Sequence, residues 1–134
     1  MQQENGADFI ITQLCFSADI FLSFVKNCRS QGVCIPIIFG VFVPENLGTL
    51  QILLKKSNVY ISHEMLSKYK ELKNDPVMFK EFAIQNSMDL ITQVLSNKEI
   101  DVCGLQFYTL NNLNAVSEVL KRIDRKNYFK NIPI

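Results

Sequence analysis

Phe9-Ile10-Ile11-Thr12-Gln13-Leu14-Cys15-Phe16 and Cys34-Ile35-Pro36-Ile37-Ile38-Phe39-Gly40-Val41 are the two stretches that decide the fold. Each is a nearly unbroken apolar run rich in β-branched and aromatic residues. Such runs suit parallel strands covered on both faces, because half-exposed strands alternate apolar with polar residues. Pro36 has no amide hydrogen to donate, so it fits only at a strand start or on an edge. A third run, Val102-Cys103-Gly104-Leu105-Gln106-Phe107-Tyr108, reads as another strand.

Working outward, the segments between these runs carry helical spacing. Phe21, Leu22, Val25 and Cys28 share one face of a helix that Ser17 is placed to cap and Gly32 to end. The link after the second run is longer. Leu47, Leu50, Leu53 and Leu54 suggest a short helix, and Ser62 is a cap for a second one carrying Leu66, Tyr69 and Leu72. Asp75-Pro76 is a strong start signal for a third, since Asp caps and Pro is tolerated in the first turn. That helix runs through Phe79, Phe82, Ala83, Leu90, Ile91 and Val94. A final helix over about Leu113 to Arg122 presents Val116, Val119, Leu120 and Ile123. The order β-α-β-α-α-α-β-α implies an α/β fold with a parallel sheet and right-handed crossovers.

The chain has 134 residues, which predicts one domain over 1–134, with no internal repeat or linker to divide it. Fourteen Lys+Arg against thirteen Asp+Glu leave a net charge of +1, without the basic excess expected of a nucleic-acid partner. No apolar stretch approaches the eighteen or so residues of a membrane span. Met1-Gln2-Gln3-Glu4-Asn5 lacks the basic and apolar regions of a secretory signal, and a cytoplasmic location follows. Cys15, Cys28, Cys34 and Cys103 are scattered without a C-x-x-C pair, so they read as small buried hydrophobes rather than a zinc site. Cys15 and Cys103 lie in or beside strands and read as core, with no cation close in sequence to activate either thiol. His63, the single histidine, falls at a helix start beside Glu64 and reads as a solvated residue. Lys68 to Lys73 reads as a mixed-charge exposed face, and Lys121 to Lys130 as a solvated basic tail. No glycine-rich phosphate loop of the G-x-G-x-x-G type is present, and Gly104 reads as a close-packing position.

In parallel α/β folds, ligand contacts gather where strands end at their carboxyl side. That rule selects Thr12-Gln13 for the first strand, Gly40 for the second and Tyr108-Thr109-Leu110-Asn111 for the third. The Gln13 carboxamide offers donor and acceptor together, the pair that a planar heterocycle requires. The alternative is that it bonds neighbouring backbone at the strand end.

Gly6-Ala7-Asp8-Phe9-Ile10-Ile11-Thr12-Gln13-Leu14, Pro36-Ile37-Ile38 with Gly40, and Gly104-Leu105-Gln106-Phe107-Tyr108-Thr109-Leu110-Asn111 resemble 5,10-methylenetetrahydrofolate reductase. The closing Ala115 to Arg122 is similar to the helix that ends its catalytic domain, so the likeness runs from about Gly6 to Ile123. The resemblance implies the last three βα units of a TIM-type (β/α)8 barrel, with parallel strands and flanking helices. It implies an FAD-dependent oxidoreductase that uses NAD(P)H to reduce methylenetetrahydrofolate to 5-methyltetrahydrofolate, in one-carbon and methionine metabolism. By resemblance Gln13 hydrogen-bonds the pterin ring, and Tyr108 sits beside the folate. Asn112 stands where the family has an arginine suited to a carboxylate of the folate tail. A neutral Asn lacks the bidentate, charge-assisted bond of a guanidinium, so folate should be held more weakly.

Other departures from the family are Ser17 for an Asp, an equivalent cap, and Leu47 for an aromatic residue. Phe39 before Gly40, and the order Phe42-Val43-Pro44, reshape the loop after the second strand. A full barrel takes about 250 residues, and the FAD-binding and acidic residues of the family lie upstream of what matches here. Three strands leave open edges and an uncovered inner face, which invites association with a partner or a second copy. The isolated chain is therefore expected to be inactive and without flavin. The alternative expectation is an inactive product that persists as a partner-binding module or remnant.

Overall fold

A computed structural model describes residues 6–125, with side chains as far as Ile123. The elements in order are β1 (Ile10–Leu14), α1 (Ala18–Ser30), β2 (Ile37–Phe42), α2 (Leu47–Ser57), α3 (His63–Glu71), α4 (Pro76–Leu95), β3 (Leu105–Tyr108) and α5 (Asn114–Arg125). The strands form one parallel sheet in the order β1-β2-β3. The reading of Met1 to Asn5, and of the tail beyond Arg125, lies outside the described residues.

Helix starts follow the local chemistry. Ser17 Oγ accepts from Ile20 N, Ser62 Oγ from Met65 N and Asp75 Oδ1 from Met78 N, each satisfying a first-turn amide that has no partner in its helix. Asn46 Oδ1 does the same for Thr49 N. Gly32 follows α1 at φ +84°, a left-handed conformation that glycine adopts without strain, and the Gly32 and Val33 amides bond back to Arg29 and Cys28.

The middle strand organises the core. Ile37, Phe39 and Val41 point to one face and are fully buried. Phe21 of α1 packs on Phe39 with ring centroids 4.5 Å apart, which fixes that face as the one the helices cover. α4 contributes Phe79, Ala83, Ile84, Met88, Ile91 and Val94 to the same core. Tyr69 of α3 is buried against Phe79 and Phe82. Arg122 ties α5 to α4 by two parallel bonds to the Glu81 carboxylate, at 2.8 and 2.9 Å, and also donates to Glu118 one turn back in α5.

Several expectations need correction. β1 is not covered on both faces: it is an edge strand whose Ile11 is 44% exposed, while central β2 is buried as expected. An apolar run records hydrophobicity, but position in the sheet decides what is covered. Gly40 does not close β2, which continues to Phe42. Leu120 is 46% exposed, because the buried stripe of α5 is Ala115, Val116, Val119 and Ile123 and Leu120 lies at its margin. Cys34 and Cys103 are exposed rather than buried, both lying outside the strands on the approach to β2 and β3. Cys15 is half-buried, and burial pushes its thiol pKa up while Sγ donates to the Ser17 carbonyl. His63 is exposed at the first residue of α3. Among the described residues no helix is long and apolar enough to cross a membrane.

Candidate functional site at the carboxyl ends of the strands

Side chains alternate between the two faces of a strand, and parallel partners in register share a face. Gly40 pairs with Gln106 and Phe42 with Tyr108, so these residues look away from Phe39 and the helices. Ile11, paired with Ile38, belongs to this second face, and Ile11 and Gln106 are exposed on it. The face is open at Ile11 and Gln106, whereas Phe42 at the end of β2 is buried.

β1 breaks register at its carboxyl end. Ile11 pairs with Ile38 but Leu14 with Gly40, so two residues of β1, Thr12 and Gln13, stand against one of β2. That is a β-bulge, the device that re-aims a side chain at a strand end. Thr12 repairs the interrupted ladder with its side chain, Oγ1 accepting from Gly40 N at 3.0 Å. The Cys15 N–H then returns to the Gly40 carbonyl at 3.1 Å. A Cβ on Gly40 would lie 2.7 Å from the Thr12 carbonyl oxygen and 2.8 Å from that of Gln13. Glycine is required there because the bulge sits in the space a side chain would fill.

The two residues singled out in the sequence meet at this bulge. Tyr108 Oη donates to the Thr12 carbonyl at 2.9 Å, reaching from β3 across β2 to β1 over a separation of 96 residues. Gln13 is exposed and its Oε1 accepts from Leu14 N at 3.0 Å. The backbone bond considered for this residue is therefore made, and it uses the acceptor alone. Among the described residues the Gln13 Nε2 has no partner, which leaves the donor edge of the carboxamide outward.

Asn112 is placed by the turn after β3. Leu110 and Asn111 both take left-handed conformations, φ 46° and 65°, and Asn112 N bonds back to Thr109 O. The fold thereby brings Asn112 onto Glu45, a residue of the loop after β2 that sequence reasoning missed. Asn112 Nδ2 donates to Glu45 Oε2, and Glu45 Oε1 accepts from Ala115 N at 3.1 Å. Glu45 lies in Pro44-Glu45-Asn46, where no local pattern distinguishes it from a loop carboxylate. Its partners are 67 and 70 residues away. Thr12 was visible as a strand-end residue, but nothing in one sequence marks its hydroxyl as a ladder acceptor. Among the described residues no group of three or more His, Cys, Asp and Glu side chains is placed to hold a metal ion.

A parallel sheet whose polar strand-end residues Thr12, Gln13 and Tyr108 gather at its carboxyl end defines an α/β protein of the βα-unit class, in which ligands meet that end. The sequence profile of methylenetetrahydrofolate reductase matches residues 2–124, and the chain belongs to that family. It is 28% identical over 120 residues to the probable methylenetetrahydrofolate reductase (NADPH) of Caenorhabditis elegans, covering 90% of this chain and 18% of the relative. Methylenetetrahydrofolate reductase 2 of Schizosaccharomyces pombe is 29% identical over 122 residues, 88% of this chain and 19% of that protein. The 5,10-methylenetetrahydrofolate reductase of Pectobacterium carotovorum is 30% identical over 108 residues, 81% of this chain and 35% of that protein. The chain thus spans about a fifth of the first two relatives and about a third of the bacterial one.

Proposed function

We propose that this chain forms the folate-side wall of a methylenetetrahydrofolate reductase site, as the last three βα units of a (β/α)8 barrel. The observation that carries the reading is the meeting of Gln13 and Tyr108 at one bulge, with Tyr108 Oη on the carbonyl next to Gln13. The open face, bearing Ile11 and Gln106, is the side that would look into a closed barrel. The outward Nε2 of Gln13 would donate to acceptors on the edge of a pterin. Asn112 occupies the position of the family's arginine, but its amide donates to Glu45 and it carries no charge. The Glu45 carboxylate beside it opposes an anionic folate tail, so folate binding is weak.

FAD and NAD(P)H would supply the hydride chemistry of the family. The groups present do not fit the diphosphate of either: carboxamides and a phenol are neutral, and Glu45 is an anion. This chain alone therefore lacks reductase activity. The reading places it in the cytoplasm, in one-carbon and methionine metabolism.

Titration of the isotope-labelled chain with 5-methyltetrahydrofolate tests the folate reading by NMR. Shifts centred on Gln13 and Tyr108 that vanish in Gln13→Ala support it. No shifts, or shifts confined to the helical layer, overturn it. A flavin absorbance band in the purified chain would overturn the cofactor assignment.

A second reading, a non-catalytic module that binds a partner or a second copy, is favoured by the uncovered side of β1. Its free edge is bordered by exposed Phe9 and Ile11, with Ile20 and Phe24 of α1 alongside. Open strand edges next to apolar surface promote association. Light scattering over a concentration series tests the second-copy form, and a monomer throughout would count against it.

A further inference from the structure

We infer that Thr12, Gly40 and Tyr108 form a latch that positions Gln13, with Tyr108 acting through the Thr12 carbonyl rather than on a ligand. The inference rests on the reading of Gln13 as the ligand-facing residue, and adds what holds it in place. A bulged residue is free to swing because it has left the ladder. Here the Thr12–Gln13 peptide is held from two directions. The Thr12 hydroxyl takes the Gly40 amide at 3.0 Å, and the Thr12 carbonyl takes the Tyr108 hydroxyl at 2.9 Å. The peptide group is planar, so fixing the direction of the Thr12 carbonyl also fixes the Gln13 amide.

Gly40 makes room for both bonds, since any Cβ there would strike the Thr12 and Gln13 carbonyl oxygens. The phenol has a single hydrogen to donate, and Thr12 receives it. Tyr108 is therefore no proton donor to a ligand in this arrangement. The Cys15 N–H faces β2, so by alternation the Leu14 N–H faces the free edge, where Gln13 Oε1 covers it. Leu14 N–H can only donate, which identifies the carboxamide oxygen as the inward atom and Nε2 as the outward one. The latch thus selects which edge of the carboxamide a ligand meets, and favours an acceptor-rich heterocycle over a donor.

The test uses the full chain, isotope-labelled, as wild type, Tyr108→Phe, Thr12→Val and Thr12→Ser. The readouts are hydrogen exchange at the Leu14 amide and the side-chain amide signals of Gln13, with the Val25 and Ile91 amides as controls for the helical layer. Tyr108→Phe and Thr12→Val should each speed Leu14 exchange by up to about tenfold, the loss expected for one hydrogen bond of ordinary strength. They should also shift the Gln13 signals and leave the controls unmoved. Thr12→Ser keeps the hydroxyl and should match wild type. Wild-type behaviour of Tyr108→Phe, or identical behaviour of Thr12→Ser and Thr12→Val, overturns the latch. The serine and valine pair remains decisive if the phenylalanine variant fails to fold. Titrating the same samples with 5-methyltetrahydrofolate separates the two readings. A wild type that shows no binding but keeps the exchange pattern sinks the folate reading and leaves the latch standing. Where wild type binds, equal affinity of wild type and Tyr108→Phe overturns the latch.

Discussion

Glu45 Oε1 accepts the backbone N–H of Ala115, so the loop after β2 caps the helix after β3 from 70 residues away. The same carboxylate holds the Asn112 side chain, and Asn112 Oδ1 accepts from Asn114 N. A negative group at a helix amino end satisfies free amides and complements the helix dipole. This one contact joins two successive βα units.

Removing that carboxylate should loosen the start of α5. Glu45→Ala is expected to destabilise the chain by about 1 kcal/mol, as loss of a helix cap does, with Glu45→Gln intermediate. Urea unfolding measures both. Equal midpoints for wild type and Glu45→Ala would show that the cap contributes nothing.

Gly40→Ala should be the costliest single-methyl addition in the sheet. The new Cβ would sit 2.7 Å from the Thr12 carbonyl oxygen, which is backbone and cannot rotate away. Overpacking of this kind costs about 1–3 kcal/mol, so a clear fall in Tm is expected. An unchanged Tm would mean that the bulge relaxes freely.

Glu81 provides a pH signature. Its hydrogen bonds to the Arg122 guanidinium, and the attraction of that charge, hold its carboxyl below the usual carboxylate range. A pKa lowered in the folded state adds stability above the unfolded value of about 4.3, and loses it as pH falls through the lower folded value. Because Glu81 is 54% exposed, the contribution should stay below about 1 kcal/mol. Stability measured from pH 7 downward should therefore drop less in Glu81→Gln than in wild type, and parallel curves would refute this.

Tyr69 should tolerate loss of its hydroxyl. The side chain is fully buried between Phe79 and Phe82, and Oη makes no well-formed hydrogen bond although the Asn86 amide lies beside it. Burial pushes its pKa well above the ordinary tyrosine value. An unsatisfied buried hydroxyl is unfavourable, so Tyr69→Phe should leave Tm unchanged or raise it. A fall of more than about 1 kcal/mol would show that the Asn86 contact is a real bond.

Local physics made much of the fold legible. Ser17, Ser62 and Asp75 start helices because their side-chain oxygens reach amides a few residues on, and Gly32 ends one because it adopts positive φ. These interactions lie within a few residues, so the order of amino acids suffices to find them. The three strands and the strand-end positions of Gln13 and Tyr108 follow from apolar runs and their limits.

What the amino-acid order determined by itself was therefore the order and type of elements, the caps of α1, α3 and α4, and family membership carried by short motifs such as Ile11-Thr12-Gln13. Tertiary structure alone decided that β1 is an edge with one open face, that Gly40 lies beneath a bulge, and that Glu45 seals α5. The physical reason is distance along the chain. A cap is chosen among neighbours, whereas the Tyr108–Thr12 and Glu45–Ala115 bonds span 96 and 70 residues and exist only after parallel pairing has set their register.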